Sequence, residues 1–356
     1  MPQLRKKYVA VDAGKFNTKV NAYDAGINKQ LRTKFRTKMS EGTFDDDMFE
    51  RGTFIVQVDD GPVYKVGWDA RKEPDLETSK KSEIHRICTM TAIALACCDG
   101  EHKGINVAIG IPYDICVIPK ERLEYKAFIL GEPGMMHKVR LKAECRGPVH
   151  EVSFSFDKQL VYPEGIGVLY QYPEHLDGPT GIIDIGNLNT NNLYCDSFQI
   201  AHEGCFSDEL GGKVMITNLA SVLTADLGAR ANEGIVASTL LKPVELRALK
   251  TKNGDKEKEK RSKEIIDAYL LEHVKTIRQK CDSRHWPLEF MNLVCMGGTA
   301  RLLKNEIYQV FGNETFIPDD PEYVNVMGFL KKLCADDGID LFSIEKKEEE
   351  QKEMSA

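Results

Sequence analysis

Apolar and polar positions follow two rhythms along this chain. Short apolar or alternating runs at Tyr8–Asp12, Thr53–Val58, Val63–Val66, Ile105–Ile111, Gly181–Ile185 and Met291–Met296 predict strands. Helical spacing instead governs Ser82–Cys98, where Ile84, Ile87, Cys88, Ala92, Leu95 and Ala96 share a face and Ser82 is available as a cap. It also governs Ile265–Ile277, through Ile265, Ile266, Tyr269, Leu270, Val274 and Ile277. Further helices are expected over Leu210–Ala220 after a glycine turn, over Leu302–Phe311 and over Tyr323–Leu333, with a short connecting helix within Val161–Tyr170. Phe128–Leu160 reads as β-rich and Phe198–Gly204 as a strand. The first hairpin pairs Tyr8–Asp12 with Thr18–Tyr23 across Gly14–Asn17, and Asp59-Asp-Gly-Pro62 joins a second. Strand, hairpin, helix and strand in that order predict an α/β layered domain, and the pattern restarts near Gly181.

This restart divides the chain. A first domain is expected over residues 1–165, closed by about 323–345, with a small subdomain inserted at about 31–80 where turn signals crowd together. Residues 166–322 form the second domain. The mixed-sign run Lys250–Arg261 reads as a solvated loop, and the charged residues 346–356 as a flexible tail. A chain of 356 residues with 42% hydrophobic content can supply a core to each domain. The formal charge of −7 and a pI near 5.7 argue against direct nucleic-acid binding or an anionic-lipid surface. Ten cysteines occur without a Cys-x-x-Cys pair, mostly inside apolar runs, which favours reduced thiols and the cytoplasm. The first residues lead directly into a strand, and no apolar run approaches the ~20 residues that span a bilayer, so neither targeting nor membrane insertion is expected.

Candidate chemistry sits in two matched segments, Val9-Ala-Val-Asp-Ala-Gly-Lys-Phe-Asn-Thr-Lys19 and Gly181-Ile-Ile-Asp-Ile-Gly-Asn-Leu-Asn-Thr-Asn191. Each runs from an apolar strand into Asp-x-Gly and a polar turn. One such turn is ordinary hairpin chemistry. Two, each opening one half of the chain, favour a phosphate site: small turn residues let backbone amides approach phosphates, and Asp12 and Asp184 can face Mg2+ directly or through water. Lys19 can neutralise phosphate charge or serve as an exposed strand lysine. Met296-Gly-Gly-Thr-Ala-Arg301 lies at a strand-to-helix junction, where it can accommodate a nucleoside or form a tight turn with a Thr cap. Glu164 follows Pro163 in the expected connecting helix; it can orient an attacking water or remain a surface charge. The histidines show no metal-hydrolase spacing, and neither a P-loop nor a G-x-S-x-G pattern occurs.

Two Asp-x-Gly hairpins, a connecting helix before the second, a Gly-Gly-Thr loop and a closing helix with Asn325-Val-Met-Gly-Phe329 together resemble the superfamily of actin, heat-shock chaperones and sugar kinases. The resemblance spans Val9 to about Leu333. It is most similar to bacterial actins of the ParM type, through Tyr64-Lys-Val-Gly67 with Ala70, Gly110-Ile-Pro112 and Tyr162-Pro-Glu164. That resemblance implies an actin-like two-domain ATPase fold of duplicated ribonuclease-H-like cores with small inserted subdomains. It implies a subunit that polymerises on binding ATP or GTP with Mg2+, hydrolysis making the filament labile, and plasmid DNA segregated through a DNA-binding adaptor. It places Asp12, Gly14, Asn17, Thr18 and Lys19 in the first phosphate loop and Asp184, Gly186, Asn187, Asn189 and Thr190 in the second. Gly211, Gly212 and Lys213, with Gly297, Gly298 and Thr299, approach the ribose and base, and Glu164 matches the residue that positions the attacking water. Asn187 departs from the commoner glycine or serine.

A chaperone of this superfamily carries a substrate domain for which the residues after Leu333 leave no room. A sugar- or acetate-type kinase stays open, since its catalytic base is a single Asp that spacing does not isolate. A cell-shape scaffold is the other alternative, though the membrane anchor frequent in that group is not found at either end.

Overall fold

The computed structural model describes residues 6–75 and 80–343, so the expected tail at 346–356 lies outside the described residues. The chain forms two compact units, one running from the N-terminal residues to Gln171 and resuming at Asn325, the other Tyr172–Val324.

The first unit is built on β1 (Lys7–Ala13), β2 (Asn17–Asp24), β3 (Lys29–Arg36), β4 (Met39–Glu41), β5 (Thr53–Val58), β6 (Val63–Gly67), β7 (Gly100–Ile111), β8 (His137–Lys142) and β9 (His150–Pro163). They make a single sheet in the order β3-β2-β1-β7-β9-β8-β5-β6-β4. β1 runs antiparallel to β2 and parallel to β7, which is parallel to β9. A strand with neighbours on both sides and a covered face must be almost wholly apolar, and Tyr8–Ala13 is buried throughout. The helix α1 (Glu83–Cys97) packs on β1 and β2. After α2 (Tyr113–Cys116) the chain forms α3 (Pro119–Leu130), which packs on α1 and β9.

Residues 31–80, expected as a small inserted subdomain, continue this sheet through β3 to β6. Phe35, Val56, Val58 and Val66 share one hydrophobic cluster with Val9 and Val11. Phe128 lies in α3, which begins at Pro119 in the first helical turn, and not in a β-rich stretch. Ser82 occupies the N-cap position of α1, yet its hydroxyl pairs with Nδ1 of His85 at 2.7 Å instead of capping an amide.

The second unit repeats the plan with β10 (Pro179–Ile185), β11 (Thr190–Asp196), β12 (Gln199–Ile200), β13 (Phe206–Asp208) and β14 (Asn292–Met296). Again an antiparallel hairpin, β10–β11, has a parallel strand, β14, on its far side. The first-unit helix α4 (Gly167–Gln171) precedes this repeat, which is covered by α5 (Gly212–Leu227), α6 (Glu233–Leu240), α7 (Lys256–Ser283) and α8 (Lys304–Phe311). Met215, Leu219, Ile266, Leu270, Val274 and Ile277 form its core with Ile183 and Ile185. The duplicated α/β architecture expected from the sequence is therefore present.

Two expectations change here. The solvated loop at 250–261 ends early, because the Asp255 side chain accepts from the Lys258 amide at 3.0 Å and starts α7 at Lys256. The strand expected over Phe198–Gly204 shrinks to β12, since Ser197 and Phe198 have φ of 47° and 69° and turn the chain. No helix among the described residues is long and apolar enough to cross a membrane.

The closing helix α9 (Val324–Ala335) explains the Asn-Val-Met-Gly-Phe pattern. Asn325 Oδ1 accepts from the Gly165 amide at 2.9 Å, and the Phe329 ring lies 5.4 Å from that of Tyr162. A Cβ on Gly328 would run into the backbone of Gly167. Gly328→Ala is therefore expected to destabilise the first unit by about 1–3 kcal/mol through overpacking, read as a lower urea midpoint; an unchanged midpoint would show that α4 and α9 have room to part.

Candidate functional site

Asp12 is the penultimate residue of β1 and is only 4% exposed, so its carboxylate needs compensation. The register of β1 and β2 sets Lys19 opposite it, and Lys19 Nζ donates to Asp12 Oδ2 at 3.0 Å. Lys80, just ahead of α1 and 3% exposed, donates to Asp12 Oδ1 at 3.2 Å and also to Glu164 Oε1. Burial would raise the Asp12 pKa, but Lys19 and Lys80 outweigh it and hold the carboxyl below the usual range. Lys80 shows the converse balance: burial pushes it down, and Glu164 with Asp12 pulls it above the ordinary lysine value.

Glu164 stands in a turn and not in a helix. Pro163 is the last residue of β9, paired with Ile111, and α4 begins only at Gly167. Parallel pairing with β7 carries the strand through Pro163, and the Glu164 amide then donates to the Ile111 carbonyl at 2.8 Å. Glu164 is buried, which removes the reading of a surface charge.

The first turn closes by Gly14 N–H donating to the Asn17 carbonyl at 3.1 Å. Thr37 donates its amide to the Phe16 carbonyl at 3.0 Å, and the Arg36 guanidinium lies 3.2 Å from the centre of the Phe16 ring, so the turn is braced by the end of β3. Thr18 is fully buried and its hydroxyl pairs with that of Thr37 at 2.9 Å, directed into the core.

In the second unit, Gly186 N–H donates to the Asn189 carbonyl at 2.9 Å, the same closure. Asp184, also buried, faces Asn191 across the ladder where the first hairpin has Lys19. The Gly211, Gly212 and Lys213 amides donate to the carbonyls of Leu188, Gly186 and Asn187 at 2.9, 3.0 and 2.7 Å. The start of α5 is thus bonded to the β10–β11 turn. Thr299 donates its amide to the Ile185 carbonyl at 3.1 Å and its hydroxyl to the Gly186 carbonyl at 2.8 Å, so it ties the loop to the hairpin instead of capping a helix. Gly297 has φ of 92°, and a Cβ there would strike Asp184 Oδ1 and the Ile185 carbonyl. Next to it, a Cβ on Gly298 would meet nothing nearer than 3.9 Å, leaving backbone open to an approaching group. Thr190 is buried at the start of β11, with its hydroxyl 3.5 Å from the Asp208 carbonyl.

The structure thus gathers Asp12, Lys19 and Glu164 around Lys80 in one unit. In the other it gathers Asp184, the Gly186–Asn189 turn, Gly211–Lys213 and Gly297–Thr299. Lys80 was missed from the sequence. Its signal is a lysine two residues before Ser82 at a helix start, a common surface pattern.

Residues 10–167 match the family model of the actin-like proteins N-terminal domain. An Alp12 filament structure is 22% identical over 93% of this chain and 99% of that one, with a TM-score of 0.67. The chain has the actin-like fold. A subunit of a 15-stranded ParM filament from Clostridium botulinum gives 18% identity, 93% and 99% coverage and a TM-score of 0.69. The archaeal actin homolog Ta0583 in complex with ADP gives 16%, 91% and 98%, and 0.66. No curated protein matches the chain by sequence. This actin-like fold agrees with the resemblance read from the two hairpins, the Gly-Gly-Thr loop and the closing helix.

Beside Lys80, His85 is buried with no ion pair among the described residues; burial, with Lys80 and Lys15 nearby, outweighs the opposing pull of Asp12 and pushes it from 6.5 down to about 2. The folded state then resists a proton that the unfolded chain accepts. The His85 contribution to stability is therefore complete above about pH 6.5 and is lost as pH falls from there toward 2. His85→Gln is expected to flatten the decline of the urea midpoint between about pH 7 and about pH 5; a parallel decline in both proteins would remove His85 from the acid response.

Proposed function

We propose that this chain is a nucleotide-dependent filament former of the ParM type. It binds ATP or GTP with Mg2+ and hydrolyses it, the Asp12 hairpin of the first unit and the Asp184 hairpin of the second each offering a phosphate loop, and hydrolysis destabilises the filament. The observation that carries this reading is the buried Asp12–Lys80–Glu164 group on an actin-like fold. Phosphoryl transfer rests on positioning and charge more than on covalent chemistry, and this group supplies both. Gly14, Asn17, Gly186, Asn187 and Asn189 supply turn backbone for phosphates, with Thr18 and Thr190 holding the ends of those turns in the core. Gly211–Lys213 and Gly297–Thr299 form the nucleoside side, where the exposed backbone at Gly298 supports a flat ring.

The donor set suits Mg2+. Asp12 and Asp184 offer hard carboxylate oxygens, and no cluster among the described residues could by itself encase a metal ion, so the ion would take most of its ligands from phosphates and water. When bound, Mg2+ neutralises charge on the phosphates. The chain's own part is to hold Glu164 toward the water that attacks.

Self-association is supported by the filament structures this fold is similar to, and nucleotide binding by the ADP complex. The net charge of −7 supports a separate basic adaptor between the filament and plasmid DNA. Such a filament would work in the cytoplasm.

Pelleting and electron microscopy with ATP, GTP or no nucleotide test the reading: filaments are expected only with nucleotide. A protein that stays dispersed at high concentration with nucleotide and phosphorylates a sugar or acetate would overturn it in favour of a kinase. Glu164→Ala is expected to slow phosphate release on the order of 10²-fold while assembly persists.

A further inference from the structure

Resting on that hydrolysis reading, we infer that Lys80 is a positioning residue, which fixes the Glu164 carboxylate in register with Asp12. The backbone around Glu164 is already held, by the Glu164 amide on Ile111 and the Gly165 amide on Asn325. What remains is the direction of a side chain with several rotatable bonds. Lys80 Nζ, anchored at the foot of α1 where the Ser82 amide donates to the Lys80 carbonyl at 2.9 Å, sets that direction by bonding both carboxylates.

A cross-link between these strand ends is not needed for the fold. β1 is paired to β2 over its whole length and to β7 over Tyr8–Val11, β9 is paired to β7 from Val152 to Pro163, and α9 locks the segment after Glu164. Burying an ammonium between two carboxylates is a poor way to gain stability, because desolvation opposes the attraction. Its product is orientation. The surroundings support this: Lys19 occupies the other oxygen of Asp12, which leaves Lys80 to be shared with Glu164, and the Tyr125 hydroxyl donates to the Gly110 carbonyl at 3.1 Å. His85 stays neutral beside the lysine and adds no competing charge.

The test compares Lys80→Met, Lys80→Arg, Glu164→Gln and the double variant K80M/E164Q in the full chain, measuring kcat and KM for the nucleotide, melting temperature and pelleting. If Lys80 acts through Glu164, K80M lowers kcat about as far as E164Q, on the order of 10²-fold. KM then moves little, K80R recovers part of the rate, and the double variant is no slower than the slower single. Losses in K80M and E164Q that multiply in the double variant, or wild-type kcat in a folded K80M protein, would overturn the inference. Should K80M fail to fold because it strands two buried carboxylates, Lys80→Gln, alone and combined with E164Q, takes its place. A lowered kcat that does not multiply with E164Q supports the assignment, and wild-type turnover refutes it. A wild-type chain that does not hydrolyse nucleotide fails the functional reading itself, a result distinct from any of these.

Discussion

A carboxylate at the end of a central, fully buried strand is the constraint around which the first unit is organised. Asp12 has no route to bulk water sufficient to keep it ionised, so the fold must deliver cations to it. Three elements meet there for that reason. The β1–β2 turn brings Lys19, the start of α1 brings Lys80, and the end of β9 brings the second carboxylate that Lys80 also serves. The apolar interior of β1, β7 and α1 keeps the surroundings dry enough for those interactions to be strong.

The two hairpins share a backbone and differ in charge. Both close through a glycine amide on an asparagine carbonyl, at 3.1 Å in one and 2.9 Å in the other. At the same place in the ladder, however, one has Lys19 and the other Asn191. The second hairpin is steadied by backbone amides of α5 and by Thr299, the first by a guanidinium stacked on Phe16 and by buried ion pairs. Electrostatic adjustment is concentrated in the first unit, shape in the second.

Much of this was readable in the sequence. Strands β1, β2, β5, β6, β10 and β14 and helices α1, α5 and α7 follow from apolar period and turn residues, because burial on one face leaves that mark. Where local and tertiary forces compete the pattern misleads. Val161–Pro163 has no strand-like alternation but is held by pairing to β7, so Glu164 leaves the expected helix for a turn. Lys250–Arg261 is polar on every side, yet one capping aspartate converts its second half to helix. Lys80 could not be found at all, since its role depends on two residues far away in the chain, and a buried lysine looks in sequence like any surface one.

The first unit's sheet ends in two unlike edges. On one side lies β3, with Lys29, Arg32 and Lys34 exposed along it. On the other lies β4, three residues long and already bonded on its outer side to Lys72. The long β3 edge is guarded by its charged side chains, and the β4 edge is short and partly covered. Charge along one edge and a short, covered strand at the other therefore oppose the continuous strand-to-strand growth that produces assemblies too stable to take apart.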